Sequence, residues 1–362
     1  MLCSNLTASS KAFVMEETFR QMGGQHLIVC ADKEDAAYFY NDLESLLGER
    51  GMDYSKKQVL FYPTSYKHPY EPEKADNTYI LSRTEVLQRV STSERKTLIV
   101  SYPEALSEKV FTRKLLAKNT FKIKVGDKIN LDFLTDLLYE YEFESVDFVV
   151  EPGQFAIRGG LVDVFSFAND YPYRIEFFGD EVDSIRSFNI ADQLSIEQLK
   201  QIVLLPNMQE RAFIEEREAI LQYLPDTTTV WLTDMPFFAT QVDKEYDRAV
   251  EAFEKLQAQE EDEEKVKMLK PSQLFSKSEE LLDCLKKRKT VEFGTSSLLP
   301  PTSNLLPQTS YLTPVNFHTK PQPIFSKNFN LLIDDINNTK KKAIASSCFP
   351  KAASNFHASR LF

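Results

Sequence analysis

A stretch of alternating apolar and polar residues between positions 152 and 188 constrains the fold of this chain more than any other feature. In its second half Ile175 and Phe177 fall on one face of a strand, and Arg174 and Phe178 fall on the other. The alternation continues beyond a Gly-Asp turn, so the stretch predicts a compact β-meander with one buried face. The opposite face places a large aromatic side chain beside an arginine, which is typical of a protein-docking surface rather than of a catalytic cleft.

Composition excludes several classes of protein. The chain has 362 residues, of which 42% are hydrophobic and 27% charged, as in a soluble protein of two or three domains. It has neither a run of eighteen apolar residues nor a basic start followed by an apolar stretch, so we predict no membrane span and no secretory signal. The four cysteines lack any paired spacing, which fits a reducing cytoplasm and argues against a zinc site. The sequence therefore predicts a cytoplasmic protein with no metal and no other cofactor.

The net charge of −11 limits direct contact with nucleic acid. Tight binding to phosphate draws on clustered lysine and arginine side chains that displace counterions. Basic runs occur at 286–289 and 340–342, but acidic stretches such as 260–264 offset them, and a short basic run is usually a solvated helix end. We expect weak DNA binding at most from this chain alone.

The order of the patterned segments divides the chain into three regions. Residues 1–112 alternate strand and helix patterns, which predicts a parallel sheet covered by helices. Residues 113–200 contain the meander, and residues 201–362 contain a charged helical arm at 243–268 and a Pro- and Ser-rich connector at 298–314. The strand patterns lie at 25–31, 59–62, 97–102, 121–125 and 228–232, and the helix patterns at 33–47, 77–90 and 130–141.

Short motifs outside the meander follow a fixed order along the chain. They are Tyr-Pro-Thr-Ser-Tyr-Lys at 62–67, Pro-Tyr-Glu at 69–71, Asp-Asn at 76–77, Arg-Thr-Glu-Val-Leu at 83–87, and Thr-Lys-Pro-Gln-Pro at 319–323 with Phe329. Together with the meander they resemble the bacterial transcription-repair coupling factors (the Mfd family), whose N-terminal module is related to the excision-repair protein UvrB. UvrB also carries a long aromatic hairpin in its first domain, and the stretch between Tyr70 and Thr97 has no room for one. The resemblance therefore favours the coupling factors over UvrB.

The resemblance implies an α/β fold. In that fold a degenerate P-loop, helicase-like parallel-sheet domain is split by an inserted α+β domain like domain 2 of UvrB. It assigns residues 1–112 to domain 1a, residues 113–200 to the UvrA-binding domain 2, and residues 201–362 to domain 1b, which completes the first domain.

The segment 5–12, Asn-Leu-Thr-Ala-Ser-Ser-Lys-Ala, lies where UvrB has its phosphate-binding loop, Gly-x-x-Gly-x-Gly-Lys-Thr. Such a loop needs glycines so that successive amides can wrap the phosphates, and a hydroxyl after the lysine to hold magnesium. Only Lys11 survives here, so we expect a vestigial nucleotide loop formed by Thr7, Ser9 and Lys11, and no nucleotide hydrolysis. The same residues also fit an ordinary helix start capped by Thr7 or Ser9.

Two further features bear on that loop. A working nucleotide site would need an acidic pair at the end of an apolar strand, and the nearest candidate is Leu-Leu-Ile-Asp-Asp at 331–335. Met1 stands just before the loop, so the strand expected ahead of it could be missing, as in a truncated reading frame.

The resemblance also implies a docking site for UvrA, the damage-recognition ATPase. The interface residues of the family fall on Arg158, Arg174 and Phe178 of this sequence. Two arginines suit an acidic partner surface, and Phe178 could supply an apolar anchor. The alternative is that both arginines pair with local acids such as Asp163 or Glu176, and that Phe178 covers the edge of the sheet.

The implied function is therefore recruitment. In a coupling factor this module would hold UvrA at lesions where RNA polymerase has stalled, while the polymerase and DNA would be bound by other domains of the parent protein. A C-terminal ATP-driven motor would lie in the parent, whose C-terminal region would mask the docking surface by an intramolecular contact. The alternatives are a UvrB-like DNA-damage-binding subunit and a weak nucleoside-triphosphatase that uses Lys11.

Overall fold

The computed structural model of the chain contains two β-sheets, two short two-stranded ladders and the helices that pack on them. It describes residues 2–7, 9–66, 69–70, 77–92, 95–118, 120–167, 171–205, 217–259, 269–294, 315–317, 319, 325–326 and 328–347. No helix in these ranges is both long enough and apolar enough to cross a membrane. The predicted connector at 298–314 lies outside them.

The strands alternate with helices over the first hundred residues and then follow one another closely. In chain order they are β1 Leu2–Ser4, β2 Gln25–Val29, β3 Val59–Phe61, β4 Thr97–Ser101, β5 Val110–Phe111, β6 Phe121–Lys124, β7 Glu144–Ser145, β8 Gln154–Arg158, β9 Leu161–Val164, β10 Tyr173–Phe178, β11 Glu181–Phe188, β12 Ser195–Gln198, β13 Gln201–Leu204, β14 Arg217–Glu218, β15 Thr229–Leu232, β16 Thr290–Gly294 and β17 Val315–Asn316.

The helices range from single turns to an arm of 25 residues. They are α1 Ser10–Met22, α2 Lys33–Leu47, α3 Asn77–Thr92, α4 Pro103–Ser107, α5 Arg113–Lys118, α6 Leu131–Glu140, α7 Ile220–Tyr223, α8 Met235–Gln259, α9 Pro271–Leu274, α10 Ser278–Lys286 and α11 Phe329–Ser347. The bounds of helix α2 coincide with the helix pattern at 33–47, and both ends have a clear physical cause. Asp32 accepts a hydrogen bond from the amide of Asp35 at its start, and Gly48 ends it with a φ of 71°.

The larger sheet has seven parallel strands in the order β17-β1-β16-β15-β2-β4-β3. Its central strands are buried along almost their whole length, as both faces of a parallel sheet are covered by helices. The predicted α/β class is therefore confirmed. The sheet takes four strands from the first third of the chain and three from beyond residue 228, so the residues between them leave the sheet and return to it.

The smaller sheet has six strands in the order β12-β11-β10-β9-β8-β7. Its strands are antiparallel to their neighbours except for β7, which runs parallel to β8. The predicted β-meander is therefore confirmed. Helix α6 covers one face and buries Leu134 and Leu138 against Ile175 and Val182, while the other face is free of helices among the described residues.

Two antiparallel ladders connect the sheets. Strand β5 pairs with β14, and β6 pairs with β13, so the outgoing and returning chains run side by side. The hydrophobic core of the smaller sheet includes Leu204, whereas the next residue, Leu205, belongs to the core of the larger sheet. The boundary between the two cores therefore falls at this peptide bond, four residues beyond the predicted boundary at 200.

One expectation of the sequence analysis is wrong: a strand does precede the N-terminal loop, because β1 pairs with β16 on one side and β17 on the other. The acidic pair Asp334 and Asp335 lies in the first half of helix α11, so it does not close an apolar strand, as a working nucleotide site would require. The expected arm at 243–268 begins earlier, at Met235, and is described as far as Gln259.

A buried hydrogen bond joins the two halves of the larger sheet. Strand β2 pairs with β15 with His26 opposite Thr229, and the Trp231 indole donates to Nδ1 of His26 at 3.0 Å. Because Nδ1 accepts this bond, Nε2 carries the proton and donates to the carbonyl of Gly23 at 2.9 Å. Burial lowers the pKa of His26, so the imidazole is neutral in the folded chain.

This arrangement predicts a loss of stability in mild acid. In the unfolded chain the pKa of a histidine is about 6.5, so below that pH the unfolded state binds a proton that the folded state excludes. The free energy of unfolding should then fall by about 1.4 kcal/mol per pH unit, until the pH reaches the lowered pKa of the folded state. Urea denaturation between pH 7 and pH 5 measures the effect. The non-titrating variant His26→Asn should lack this component, and equal slopes for both chains would contradict the assignment.

Candidate protein-docking surface

The carboxylate of Asp163 lies at the centre of the helix-free face of the smaller sheet. It stands on β9, directly opposite Arg174 on β10 and Ala156 on β8, and it is 1% exposed. Arg174 donates from Nε to Oδ1 at 2.7 Å and from Nη2 to Oδ2 at 2.8 Å. Arg158 also donates from Nη2 to Oδ2. One buried carboxylate thus holds two guanidinium groups, which leaves the group of three with one net positive charge.

Arg174 is the more constrained of the two arginines. Besides its two bonds to Asp163, it donates to Oε1 of Gln193 at 3.0 Å, and its guanidinium lies 4.4 Å from the ring centre of Phe188. The side chain is only 15% exposed. The hydrogen bonds to Asp163 raise the pKa of Arg174 above its ordinary value. Such a bidentate, stacked arginine is fixed in one geometry.

Arg158 is more open. It ends β8, its side chain is 40% exposed, and its guanidinium lies 5.2 Å from the ring centre of Phe148. A guanidinium has five N–H donors, and the bond to Asp163 uses one of them. Arg158 is therefore both oriented by Asp163 and available to an acidic group outside the chain.

Phe178 is the most exposed large apolar side chain of this sheet, at 85%. It is the last residue of β10, beyond a register shift between Glu176 and Phe177. The amide of Phe177 donates to the carbonyl of Gly160 at 2.7 Å, which places Phe178 beside the turn that follows Arg158. A Cβ on Gly160 would lie 2.9 Å from the Phe177 carbonyl oxygen, so this close approach requires glycine.

The sequence left open an alternative in which both arginines pair with local acids and Phe178 covers the edge of the sheet. The structure agrees with the first part and not with the second. Both arginines do pair with a local acid, and that acid is Asp163. Glu176 instead accepts hydrogen bonds from Ser184 at 3.0 Å and Arg186 at 3.3 Å. Phe178 does not cover a sheet edge, because β10 lies between β9 and β11 and its ring is exposed. Sequence reasoning missed the exposure of Phe148 next to Arg158, since Val-Asp-Phe-Val-Val at 146–150 has the composition of a buried strand.

The shared carboxylate predicts different effects on stability for Arg174 and Phe178. Arg174→Ala should lower the free energy of unfolding by about 3 kcal/mol, because Asp163 would remain buried with only the half-open Arg158. Phe178→Ala should change it by less than about 0.5 kcal/mol, because that ring buries little surface. Chemical denaturation measures both values. Adding Asp163→Asn to Arg174→Ala should recover part of the loss, and an Arg174→Ala chain as stable as the wild type would contradict this account.

The N-terminal loop has a geometry of its own. The amide of Thr7 donates to Oγ1 of Thr319 at 3.0 Å, and that hydroxyl donates to the carbonyl of Asn5 at 2.6 Å. Ser9 makes no side-chain hydrogen bond to the start of α1, so the predicted cap by Ser9 is wrong. The Thr7 side chain is likewise engaged with Thr319, at 3.1 Å, and not with the helix.

Lys11 points towards a cleft at the carboxyl ends of the central strands. Its Nζ lies 5.9 Å from the ring centre of Phe293. The cleft has a volume of about 320 Å³, and its lining includes the acidic residues Asp35 and Asp42 and the buried thiol of Cys30. No group of three or more histidine, cysteine or acidic residues that could hold a metal ion occurs in the part of the chain that the structure describes.

Comparison with known proteins identifies the smaller sheet. Residues 121–209 match the UvrB interaction domain. The matched segment begins at β6 and contains the six-stranded sheet, the α6 helix and the Asp163 centre. Arg158, Arg174 and Phe178 therefore all lie within this domain.

The chain is similar to transcription-repair-coupling factors and to UvrABC system protein B. It is 28% identical to the transcription-repair-coupling factor of Escherichia coli over 205 residues, 57% of this chain and 17% of that protein. It is 30% identical to the coupling factor of Bacillus subtilis over 219 residues, 58% of this chain and 18% of that protein. It is 26% identical to UvrABC system protein B of Thermosipho africanus over 219 residues, 59% of this chain and 33% of that protein. The resemblance to the coupling factors is confirmed, and the chain spans less than a fifth of their length.

Proposed function

We propose that this chain is a non-catalytic module that binds UvrA, and that in a transcription-repair coupling factor it recruits UvrA to lesions where RNA polymerase has stalled. The observation that carries the proposal is the pair Arg158 on β8 and Phe178 on β10, an oriented cation and an exposed aromatic ring two strands apart within the segment that matches the UvrB interaction domain. Binding energy at protein interfaces concentrates in such arginine and aromatic side chains.

The three predicted site residues take different parts in this proposal. Arg158 and Phe178 contact UvrA directly, whereas Arg174 holds Asp163 and, through it, the orientation of Arg158. An oriented guanidinium loses little conformational entropy when it binds a carboxylate, so it contributes more than a free surface arginine would. The proposal thus requires an acidic group on UvrA next to an apolar patch.

The proposal includes the helicase-like origin of the larger sheet. Residues 1–112 and 201–362 would form a single domain, split by the UvrA-binding domain at 113–200, whose core continues to Leu204. The segment at 5–12 would be a degenerate phosphate-binding loop. Contacts with RNA polymerase and DNA, a masking contact with the C-terminal region, and the cytoplasmic location belong to the parent protein in this proposal.

The geometry of the loop disfavours the nucleoside-triphosphatase alternative. The amide of Thr7 already donates a hydrogen bond to the hydroxyl of Thr319, so it is not free to bind a phosphate. No hydroxyl follows Lys11, since residue 12 is alanine. Asp35 and Asp42 share the cleft with Lys11, so a polyphosphate would meet two carboxylates there.

The charge distribution disfavours the DNA-damage-binding alternative. Within the basic run at 286–289, Lys286 pairs with Asp283 at 2.7 Å. Arg288 is buried and donates to the backbone carbonyls of Leu224 and Cys284 at 2.9 Å. This run therefore presents few free cations to phosphate.

The recruitment role predicts a specific binding pattern. The wild-type chain should bind purified UvrA, and Arg158→Ala and Phe178→Ala should each weaken binding by about tenfold or more, because each removes a central contact. Biolayer interferometry at two salt concentrations measures this, and affinity should fall at the higher one. Phe133→Ala is the control, since that ring is 52% exposed on α6, which covers the opposite face.

Two outcomes would count against the proposal in different ways. Wild-type affinity in both Arg158→Ala and Phe178→Ala would show that the site is misplaced. No binding by a wild-type chain with a cooperative unfolding transition would show that recruitment of UvrA is not its function.

The absence of a working nucleotide loop gives a second prediction. Titration of the chain with ATP and magnesium in a calorimeter should give no binding heat at micromolar nucleotide, because the amides and hydroxyl that would hold the phosphates are engaged or replaced. A saturable heat that disappears in Lys11→Ala would instead support the nucleoside-triphosphatase alternative.

A further inference from the structure

The loop between β7 and β8 exposes two large apolar side chains next to the docking residues. Phe148 is 61% exposed and Val150 is 49% exposed, whereas Val149 between them is 1% exposed. Val149 packs with Ala156 and Phe165 in a small separate core on the helix-free face of the sheet. The loop thus turns one apolar residue inward and holds the two on either side outward.

Hydrogen bonds fix this loop at both ends. The amide of Val146 donates to the carbonyl of Phe155 at 2.9 Å, which continues the pairing of β7 with β8. The amides of Val150 and Glu151 donate to Oε1 of Gln154 at 3.0 and 3.1 Å. The backbone that carries Phe148 and Val150 is therefore anchored on both sides before any partner arrives, and a preorganised loop loses little entropy on binding.

Phe148 is continuous with the surface already described. Its ring lies 5.2 Å from the guanidinium of Arg158, and Phe178 lies two strands away, about 10 Å across the sheet by the usual strand spacing. Arg158 thus stands between two exposed aromatic side chains. An arginine flanked by apolar groups is the composition of an interface centre, where the surrounding contacts exclude water from the charged pair.

We propose that Phe148, with Val150 beside it, is a further contact residue of this docking surface and takes an apolar patch of the partner that borders the carboxylate bound by Arg158. The inference rests on the proposed function, and its occupant is the same partner, UvrA. Phe148 acts in two ways: its ring covers one face of the Arg158 guanidinium, and its outer face contacts the partner directly.

The test compares two phenylalanines of similar exposure. Phe148→Ala should weaken binding of the chain to UvrA by about tenfold, as expected for loss of an aromatic contact. Phe13→Ala is the matched control, because that ring is 59% exposed on α1 of the larger sheet, and it should bind as the wild type does. Both chains should keep the wild-type unfolding midpoint.

A double-mutant cycle then separates the direct contact from support of Arg158. In the Arg158→Ala background, Phe148→Ala should still weaken binding, by about threefold or more, because the partner's apolar patch loses its own contact. If Phe148→Ala has no further effect in that background, the ring only orients Arg158 and the proposed contact is wrong.

The remaining outcomes distinguish this inference from the function on which it rests. If Phe178→Ala weakens binding while Phe148→Ala matches the wild type, the inference fails and the recruitment role stands. If the folded wild-type chain does not bind UvrA at all, both fail. Equal losses in Phe148→Ala and the control Phe13→Ala would also overturn the inference, because the effect would then not be specific to this loop.

Discussion

The parallel pairing of β2 with β15 is the constraint on which the rest of the structure depends. It joins His26 to Thr229 and brings Trp231 onto the imidazole, so the larger sheet cannot close until the chain has returned over some two hundred residues. The intervening chain must leave and re-enter at nearby points. The ladders β5–β14 and β6–β13 achieve this, since each pairs an outgoing strand with a returning one.

The boundary between the hydrophobic cores of the two sheets is sharp. Leu204 and Leu205 are adjacent in sequence but belong to different cores, and the amide of Leu205 donates to Oγ of Ser166 at 2.9 Å. The smaller sheet has its own core beneath α6, so its other face is not needed to stabilise the larger sheet. A face that the larger sheet does not need can carry exposed side chains such as Phe178 beside its own small core of Val149, Ala156 and Phe165, and large exposed apolar groups in an ordered domain mark interaction sites.

Secondary structure was largely predictable from the sequence, whereas the chemistry of the docking surface was only partly so. The bounds of α2 match the helix pattern at 33–47, where Asp32 caps the start and Gly48 ends the helix, and the meander followed from period-two alternation. The sharing of Asp163 by two arginines could not be derived, because it depends on which strands are neighbours. The alternation places Arg174 and Asp163 on sheet faces but does not determine that they stand opposite each other.

Contacts between residues far apart in the chain could not be predicted from the sequence. Thr319 contacts Thr7 across 312 residues, and no local pattern indicates that a hydroxyl would occupy that amide. Phe148 is exposed because its neighbour Val149 packs against Ala156 and Phe165. The apolar run Phe-Val-Val at 148–150 therefore reads as a buried strand, although Val149 is its one buried residue. Helical periodicity also does not indicate that residues 331–335 are helical, because two acidic residues there follow three apolar ones.

The electrostatic balance at Asp163 determines how substitutions on this surface can be interpreted. A carboxylate that is 1% exposed requires a counter-charge, and Arg174, itself 15% exposed, supplies the better-aligned one. Loss of binding in a variant of Arg174 or Asp163 therefore combines two effects, since the same change weakens the fold and releases Arg158. Phe178 buries little surface and supports no other side chain of this group, so its effect on affinity reports the interface alone. Substitution of an exposed aromatic side chain such as Phe178 is consequently a more direct test of the proposed docking surface than substitution of Arg174.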